Sequence, residues 1–285
     1  MTVDVEDYFQ VSAFENVIDR EAWDRLPCRV ERNCDRILQL FGAHDVKATF
    51  FVLGWIAERF PAVIRGLVAA GHEVASHGYE HIRVIKQRPD DFDQDIRRTK
   101  HLLEDLTGMA VRGYRAASYS IDSRNLWALD KLLEAGYEYS SSIYPIKHDL
   151  YGMPEAPRFA FKPRGERGIL EIPITTVAFG TRKFPCGGGG YFRLFPYTYS
   201  RWAIRRVNEK DGQPAIFYFH PWEIDPDQPR QSGVGPKTRI RHYLNLERME
   251  GRLSALLRDF RWGRMDNIFL RTGEERGEWR GSPAN

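Results

Sequence analysis

Short apolar strands and amphipathic helices alternate along the first half of this 285-residue chain. Residues 47–53 form an apolar run rich in aromatic and β-branched side chains, which is typical of a strand buried on both faces. An amphipathic helical pattern follows over residues 55–70. The alternation continues with predicted strands at 73–76, 111–115 and 137–142 and predicted helices at 89–107 and 123–135. This repeat of roughly 30 to 40 residues predicts parallel βαβ units, and such units arranged in a circle form a (β/α) barrel.

The composition is that of a soluble globular protein, with 42% hydrophobic and 28% charged residues. The formal net charge of +3 is too small to indicate nucleic acid as a partner. No stretch reaches the roughly 20 apolar residues of a membrane span, and no secretion leader precedes the first strand, so we expect a cytoplasmic protein. The three cysteines, Cys28, Cys34 and Cys186, contain no CxxC pair and are expected to be free thiols.

The pattern is less regular after residue 145, where prolines interrupt it. We expect short strands at 169–174 and 214–219, helices at 197–208 and 244–260, and a last strand over 266–270. The glycine run 186–190 is expected to be a flexible loop, because it lacks the strand-then-helix context and the Lys-Ser/Thr of a phosphate-binding loop. The polar, glycine-rich tail after residue 272 is expected to be disordered.

Two histidines four residues apart, His77 and His81, directly follow the predicted strand 73–76. A helical turn at this point would place both imidazoles on one face, as a divalent metal requires of two neutral nitrogen ligands. Asp4, Arg115 and His220 also fall at or just past predicted strand ends, where chemistry occurs in such barrels. Together these residues predict a metal-hydrolase site. Taken singly, each also fits an ordinary role: a strand-end cap, a structural ion pair or a core histidine.

Five motifs in this order resemble the polysaccharide deacetylases, also called carbohydrate esterase family 4 or NodB-like proteins. They are Thr-Val-Asp-Val-Glu-Asp at 2–7, Ala-Thr-Phe-Phe-Val-Leu-Gly at 48–54, Gly-His-Glu-Val-Ala-Ser-His-Gly-Tyr-Glu-His at 71–81, Gly-Tyr-Arg-Ala-Ala-Ser at 113–118, and Phe-His at 219–220. The resemblance covers about residues 1–225, and later motifs are similar to a subgroup encoded with exosortase-linked exopolysaccharide clusters. It implies a distorted (β/α) barrel over 1–225, a C-terminal extension at 226–272 packed on the barrel, and a disordered tail at 273–285.

The resemblance also implies metal-dependent removal of N-acetyl groups from amino sugars. By position in the motifs, Asp4 would be the general base, Arg115 would orient it, and His220 would be the general acid. His77 and His81 would be metal ligands.

The carboxylate ligand of the metal has two candidates. Many family members have two adjacent aspartates, whereas Val5 follows Asp4 in this chain. Other members have Asp-x-Asp, which maps onto Asp4 and Glu6. Because Glu6 lies on the same side of an extended chain as Asp4, it is the preferred ligand, and Asp7 is the alternative.

Further roles and two departures come from the same resemblance. The backbone N–H of Ser118 would help to hold the oxyanion, and Trp222 would form an apolar wall for the acetyl methyl or a sugar face, unless it only packs in the core. Ala117 stands where the family usually has proline, so that loop is expected to be less rigid. Ser140 stands where an aspartate is often found, so Arg115 can be held differently here.

The expected function is deacetylation of an N-acetylated oligo- or polysaccharide in exopolysaccharide biosynthesis. Zn²⁺ is the expected metal, and Co²⁺ or Fe²⁺ also suits a site with two imidazoles and one carboxylate. A related amidohydrolase acting on a small amide or ureide is one alternative. A non-catalytic glycan-binding barrel is another, although a base, both histidines and an acid are all present. A cytoplasmic location would favour a soluble or lipid-linked sugar as substrate.

Overall fold

Seven parallel strands form the main sheet of the computed structural model, which describes residues 1–149 and 151–270. The seven strands are β1 (Thr2–Val5), β2 (Thr49–Val52), β3 (Glu73–Ser76), β4 (Gly113–Tyr114), β5 (Tyr139–Ser140), β6 (Leu170–Glu171) and β9 (Tyr218–Phe219). Their order across the sheet is β6-β5-β4-β3-β2-β1-β9, and every neighbouring pair is parallel. The sheet curls into a half-barrel, which confirms the expected distorted (β/α) barrel.

Helices connect the strands and cover the outside of the sheet. They are α1 (Val30–Ala43), α2 (Gly54–Arg59), α3 (Pro61–Ala69), α4 (Pro89–Thr107), α5 (Trp127–Glu134), α6 (Gly189–Leu194), α7 (Tyr197–Glu209), α8 (Pro236–Tyr243), α9 (Leu246–Asp259) and α10 (Met265–Phe269). The longest, α4, has proline in its first turn and ends at Gly108, whose φ of 65° suits a residue without Cβ. It buries Phe92, Ile96 and Leu103 along one side, as its helical spacing predicts.

The side chains of β1, β2 and β3 are buried on both faces of the sheet, as expected of parallel strands. Val3 and Val5 pack in one apolar cluster with Phe50 of β2, and this cluster includes residues of the surrounding helices. Phe51 packs in a second cluster inside the half-barrel. Asp4 is aligned with Phe51 in the register of the sheet, so its carboxylate lies in this interior.

The register of the strands places the candidate site residues side by side. Ser76, the last residue of β3, is aligned with Tyr114, the last residue of β4. The next residues along each strand, His77 and Arg115, therefore leave the sheet together at its carboxyl edge. Strand β9 lies next to β1 and brings His220 to the same edge.

Two local predictions were wrong, and one hairpin was not expected. Residues 266–270 lie mostly in helix α10 and not in a strand, because a short apolar run does not distinguish the two structures. The glycine run 186–190 is not a free loop, since α6 begins within it at Gly189. An antiparallel hairpin of β7 (Thr176–Phe179) and β8 (Arg182–Pro185) was not expected, because its exposed Phe179 and Phe184 hide the alternation of a half-buried strand.

Two expectations about the chain ends and boundaries remain open. The tail at 273–285 lies outside the described residues, and the domain boundary at residue 225 stays a prediction. None of the helices in the described ranges is both long and apolar enough to cross a membrane.

Candidate active site and metal centre

A cluster of three buried side chains lies at the carboxyl edge of the sheet. Glu6, His77 and His81 each offer one ligand atom, and these atoms lie within 4.8 Å of one another. Nε2 of His81 is 3.1 Å from Oε2 of Glu6. That oxygen is buried and has no hydrogen-bond partner among the described residues. A buried carboxylate oxygen without a donor is costly, so the cluster has the features of a cation site.

The two histidines do not lie on a helical turn, and that prediction was wrong. The chain turns sharply after His77, where Gly78 has a φ of 75° and His81 a φ of 53°. A Cβ at Gly78 would come within 2.9 Å of a carboxylate oxygen of Asp95 on α4. The turn still brings the two imidazoles together, with ring centroids 5.2 Å apart.

The hydrogen bonds of the two histidines are compatible with a role as metal ligands. Nδ1 of His77 lies 2.8 Å from the carbonyl oxygen of Arg115, and a carbonyl only accepts, so Nδ1 carries the proton and Nε2 does not. His81 makes a hydrogen bond to the backbone of Gln10. Burial lowers the pKa of His77 to about 4 and the pKa of His81 well below its ordinary value. Both imidazoles are therefore neutral near pH 7, as metal ligands must be.

Of the two candidate carboxylate ligands, Glu6 lies with the histidines and Asp7 does not. Oδ1 of Asp7 accepts the N–H of Tyr8, and Oδ2 accepts the N–H groups of Arg29 at 2.5 Å and Val30 at 2.9 Å. These are the first amides of α1, so Asp7 caps that helix from a distant part of the chain. Burial raises the pKa of Glu6 to about 7. A divalent cation fits this donor set of one carboxylate and two neutral imidazoles.

Asp4 is held by a completely buried arginine. Nη1 of Arg115 donates to Oδ1 of Asp4 at 2.5 Å and to Oγ1 of Thr2 at 2.9 Å. Its other nitrogens donate to the carbonyl and hydroxyl of Ser141. The Tyr119 hydroxyl donates to Oδ2 of Asp4 at 3.2 Å. Burial would raise the pKa of Asp4, but Arg115 and the nearby histidines hold it below its usual value, so Asp4 is ionised.

His220 completes the group from the neighbouring strand. Its Nε2 lies 3.3 Å from Oε1 of Glu6 and 4.0 Å from Oδ2 of Asp4. On its other side, Nδ1 lies 2.8 Å from Oε1 of Glu223. Burial alone would lower the pKa of His220, but the carboxylates of Glu6 and Glu223 outweigh it and raise the pKa to about 9.

Trp222 is packed in the core and also lines the cavity. Its ring stacks between two imidazoles. The ring centroids of Trp222 and His220 are 5.1 Å apart with an interplanar angle of 16°, and those of Trp222 and His242 are 4.1 Å apart with an angle of 13°. Its Nε1–H donates to Oε1 of Glu6 at 3.4 Å. Only 5% of the residue is exposed, so Trp222 is packed in the core and still forms part of the cavity wall.

Ser118 lies in a strained turn beside the site. It has a φ of 51° within the 3-10 turn Ala117–Tyr119, and its hydroxyl is 2.7 Å from that of Ser12. The turn is fixed in part by Ser142, whose Oγ accepts the N–H of Ala116. Ser140, at the family's aspartate position, donates to the same Oγ at 2.8 Å. Oε1 of the buried Glu171 also accepts the N–H groups of Ser142 and Ile143, so serines and a carboxylate from another strand support this turn.

The site opens into a cavity of about 500 Å³. Aromatic rings of Tyr119, Tyr151, Tyr191 and Tyr218 line it together with the site residues. Such rings offer flat apolar faces with hydroxyl edges.

Sequence reasoning missed Tyr119, Glu223 and Arg193. Glu223 follows His220 by three residues, and proline stands at the first position of the turn between them, which are recognisable signals for a short helical turn. The contacts of Arg193 with residues about 30 to 50 positions away have no counterpart in local spacing.

Comparison with known proteins divides the chain in two. A family model described as polysaccharide deacetylase matches residues 22–140, and one described as a domain of unknown function (DUF3473) matches residues 141–270. Asp4, Glu6 and His220 lie outside the first match.

A peptidoglycan-N-acetylglucosamine deacetylase of Bacillus cereus is 34% identical over 97 residues, which are 34% of this chain and 35% of that protein. The chain spans about a third of the length of the first curated relatives that it matches.

Two crystal structures show the same fold. One, from Mycobacterium smegmatis and assigned as a polysaccharide deacetylase, has a TM-score of 0.60 and 19% identity, covering 94% of this chain and 87% of that one. The other, from Pseudomonas aeruginosa PAO1 with the same assignment, has a TM-score of 0.55 and 20% identity. It covers 83% of this chain and 71% of that one. Together with the curated relatives, these findings show that residues 22–140 match the polysaccharide deacetylase family and that the chain has the fold of these two structures.

Proposed function

We propose that this protein is a metal-dependent hydrolase that removes N-acetyl groups from amino sugars of an oligo- or polysaccharide. One observation carries the proposal: Asp4, which forms an ion pair with Arg115, lines the same cavity as Glu6, His77, His81 and His220. The group combines an ionised carboxylate, a candidate cation site and a histidine. These are the components that hydrolysis of an unactivated amide needs.

Glu6, His77 and His81 would hold the metal, through Oε2 of Glu6 and the two imidazoles. Ligand type favours Zn²⁺, and Co²⁺ or Fe²⁺ would also suit the site. When bound, the cation would polarise the acetyl carbonyl and lower the pKa of a water molecule.

Asp4 would accept a proton from the attacking water. Arg115 keeps this carboxylate ionised and binds Oδ1, so Oδ2, which also accepts the Tyr119 hydroxyl, would take the proton. The water oxygen bonds to the carbonyl carbon, and the backbone N–H of Ser118 would help to hold the resulting oxyanion.

His220 would donate the proton that the departing nitrogen requires. Its Nε2 lies on the same side as Asp4 and Glu6, so a substrate nitrogen placed there is within reach of both acid and base. The C–N bond breaks as the nitrogen is protonated, and the products are acetate and a free amine. Proton donation of this kind typically contributes about 10²- to 10⁴-fold to the rate.

The cavity supports a saccharide as substrate. Trp222 and the surrounding tyrosines would contact the acetyl methyl and the faces of sugar rings. A role in exopolysaccharide biosynthesis and a cytoplasmic location stay predictions.

Metal analysis of the purified protein, combined with acetate release from N-acetylated oligosaccharides, tests the proposal. We expect about one divalent metal per chain, acetate release from N-acetyl sugars, and loss of activity with a chelator that is reversed by Zn²⁺ or Co²⁺. Small amides and ureides form a second arm of the panel. Turnover in that arm alone would support an amidohydrolase, and binding of oligosaccharide without turnover would support a glycan-binding barrel.

A further inference from the structure

We propose that Glu223 and Arg193 act as a positioning pair that sets the tautomer and direction of His220, and that Gly189 leaves the space that the Glu223 carboxylate occupies. The inference rests on the proposed function, because it concerns the acid of that reaction. It assigns a role to the segment matched only as a domain of unknown function, since all of these residues lie within 141–270.

Glu223 holds His220 at two points. Its Oε1 lies 2.8 Å from Nδ1 of His220 and accepts the backbone N–H of the same residue at 3.1 Å. The side chain of Glu223 is 1% exposed. Because an ionised carboxylate only accepts, Nδ1 of His220 must carry a proton. The ring is thereby oriented so that Nε2 points to the side of Asp4 and Glu6.

Arg193 occupies the second oxygen of Glu223. Its Nε donates to Oε2 of Glu223 at 2.7 Å, and its side chain is 2% exposed. The terminal nitrogens donate to three carbonyls at the end of α8, those of Arg241, His242 and Leu244. These bonds fix the guanidinium in place and satisfy carbonyls that a helix end leaves without partners. Glu223 therefore has a compensated charge and one orientation.

The glycine run makes this arrangement possible. A Cβ at Gly189 would lie 2.2 Å from Oε1 of Glu223 and 2.5 Å from Oε2. A Cβ at Gly188 would lie 2.6 Å from the ring of Tyr218, and the carbonyl of Gly187 accepts the N–H of Tyr218 at 2.8 Å. The run thus packs directly against β9, the strand that carries His220.

Substrates with different leaving groups can show whether Glu223 positions His220 or only stabilises the fold. An amine leaves only when it receives a proton, so amide hydrolysis depends on His220. The p-nitrophenolate of p-nitrophenyl acetate leaves without a proton, while metal, base and oxyanion contacts serve both substrates. A defect in placing His220 should therefore reduce amide hydrolysis selectively.

The first test is Glu223→Gln. An amide offers one acceptor oxygen to two donors, Nδ1–H of His220 and Nε–H of Arg193, so the arrangement cannot persist. We expect kcat for acetate release from an N-acetylated oligosaccharide to fall roughly 10- to 100-fold, with p-nitrophenyl acetate hydrolysis within about 2-fold of the unaltered protein. Metal content should be unchanged.

Asp225→Asn is the matched control. Asp225 is also buried and directly follows the same turn, and its carboxylate accepts hydrogen bonds from Arg29, Arg32 and Asn33 and none from His220. We expect this variant to lose stability without a change in the amide-to-ester ratio. An equal loss on both substrates with Glu223→Gln, or no loss, would overturn the inference.

Gly189→Ala provides a second test that keeps every charge. The added methyl would displace the Glu223 carboxylate, so we expect the same selective loss of amide hydrolysis. Gly251→Ala, in α9, adds a methyl to open space and should change neither rate. Failure of the unaltered protein to release acetate from any N-acetyl sugar would overturn the proposed function itself, whereas normal amide turnover by a folded Gly189→Ala would overturn only the positioning role.

Discussion

The backbone carbonyl of Arg115 accepts the Nδ1 proton of His77 at 2.8 Å, while the side chain of Arg115 binds Asp4. One residue therefore fixes both the candidate base and a candidate metal ligand. The pairing of Ser76 with Tyr114 in adjacent strands creates this relationship, because the next residues are His77 and Arg115. A substitution at position 115 removes only the side-chain contact, so the two roles can be separated by experiment.

Arg115→Met should destabilise the protein and leave the metal site intact. The change leaves the buried carboxylate of Asp4 without its cation, and breaking a buried pair in this way typically costs about 3 to 5 kcal/mol. The carbonyl that orients His77 remains. Urea denaturation and elemental analysis of the purified variant measure the two effects.

The control for Arg115→Met is the double variant with Asp4→Asn, which removes the uncompensated charge. We expect it to recover part of the lost stability, as coupled residues do. Additive losses from the two single changes would argue against the ion pair as the source of the effect.

Asp4→Asn alone should retain metal and lose more than about 10²-fold in kcat/KM. Asparagine keeps the shape of the side chain but cannot take a proton from water. Steady-state kinetics on an N-acetylated oligosaccharide, with metal content measured on the same sample, checks this outcome. Unchanged turnover would refute Asp4 as the base.

Glu6→Gln and Asp7→Asn should have opposite effects. Glu6→Gln weakens the metal site because a neutral amide is a poor ligand for Zn²⁺, and His77→Ala should lose the metal as well. Asp7→Asn should keep the metal and lower stability by about 1 kcal/mol, because an amide offers one acceptor oxygen in place of the two that bind the N–H groups of Tyr8, Arg29 and Val30. Elemental analysis and thermal denaturation of the variants distinguish the two roles. Full metal occupancy in Glu6→Gln with loss in Asp7→Asn would reverse the assignment.

The fold could be predicted because the hydrophobic patterns of individual strands and helices determine it. The alternation of buried strands and amphipathic helices gave βαβ units, and parallel strands bring their carboxyl ends to one edge, so residues after different strands were expected to meet. The two-residue period of an extended chain also favoured Glu6 over Asp7, and the two carboxylates do lie in different surroundings.

Other features depend on backbone angles and distant contacts that spacing does not encode. A four-residue interval between His77 and His81 suits a helix, yet positive φ values at Gly78 and His81 form a tight turn instead. The glycine run appeared to be a flexible loop because the side chains that fill its space, those of Tyr218 and Glu223, lie far along the chain.

His72 should make a contribution to folding stability that is lost as the pH decreases from about 6.5 to about 4. Burial lowers the pKa of His72 to about 4 from its ordinary 6.5. Its Nδ1 accepts the N–H of Ala48 at 3.1 Å, so protonation of that atom would break a buried hydrogen bond. Between these two pH values the unfolded chain binds a proton that the folded protein does not, so the contribution is full above pH 6.5 and decreases on acidification.

His72→Asn isolates this contribution, because the amide oxygen can accept the Ala48 N–H and does not titrate. Buried carboxylates such as Asp7 and Asp95, whose pKa burial raises to about 6, titrate in the same range in both proteins and cancel in the difference. We expect the difference in unfolding free energy to shift by on the order of 2 kcal/mol between pH 7 and pH 4, after allowance for solvent screening. Urea denaturation of both proteins across this range measures the shift. Parallel stability curves would show that His72 does not couple folding to pH.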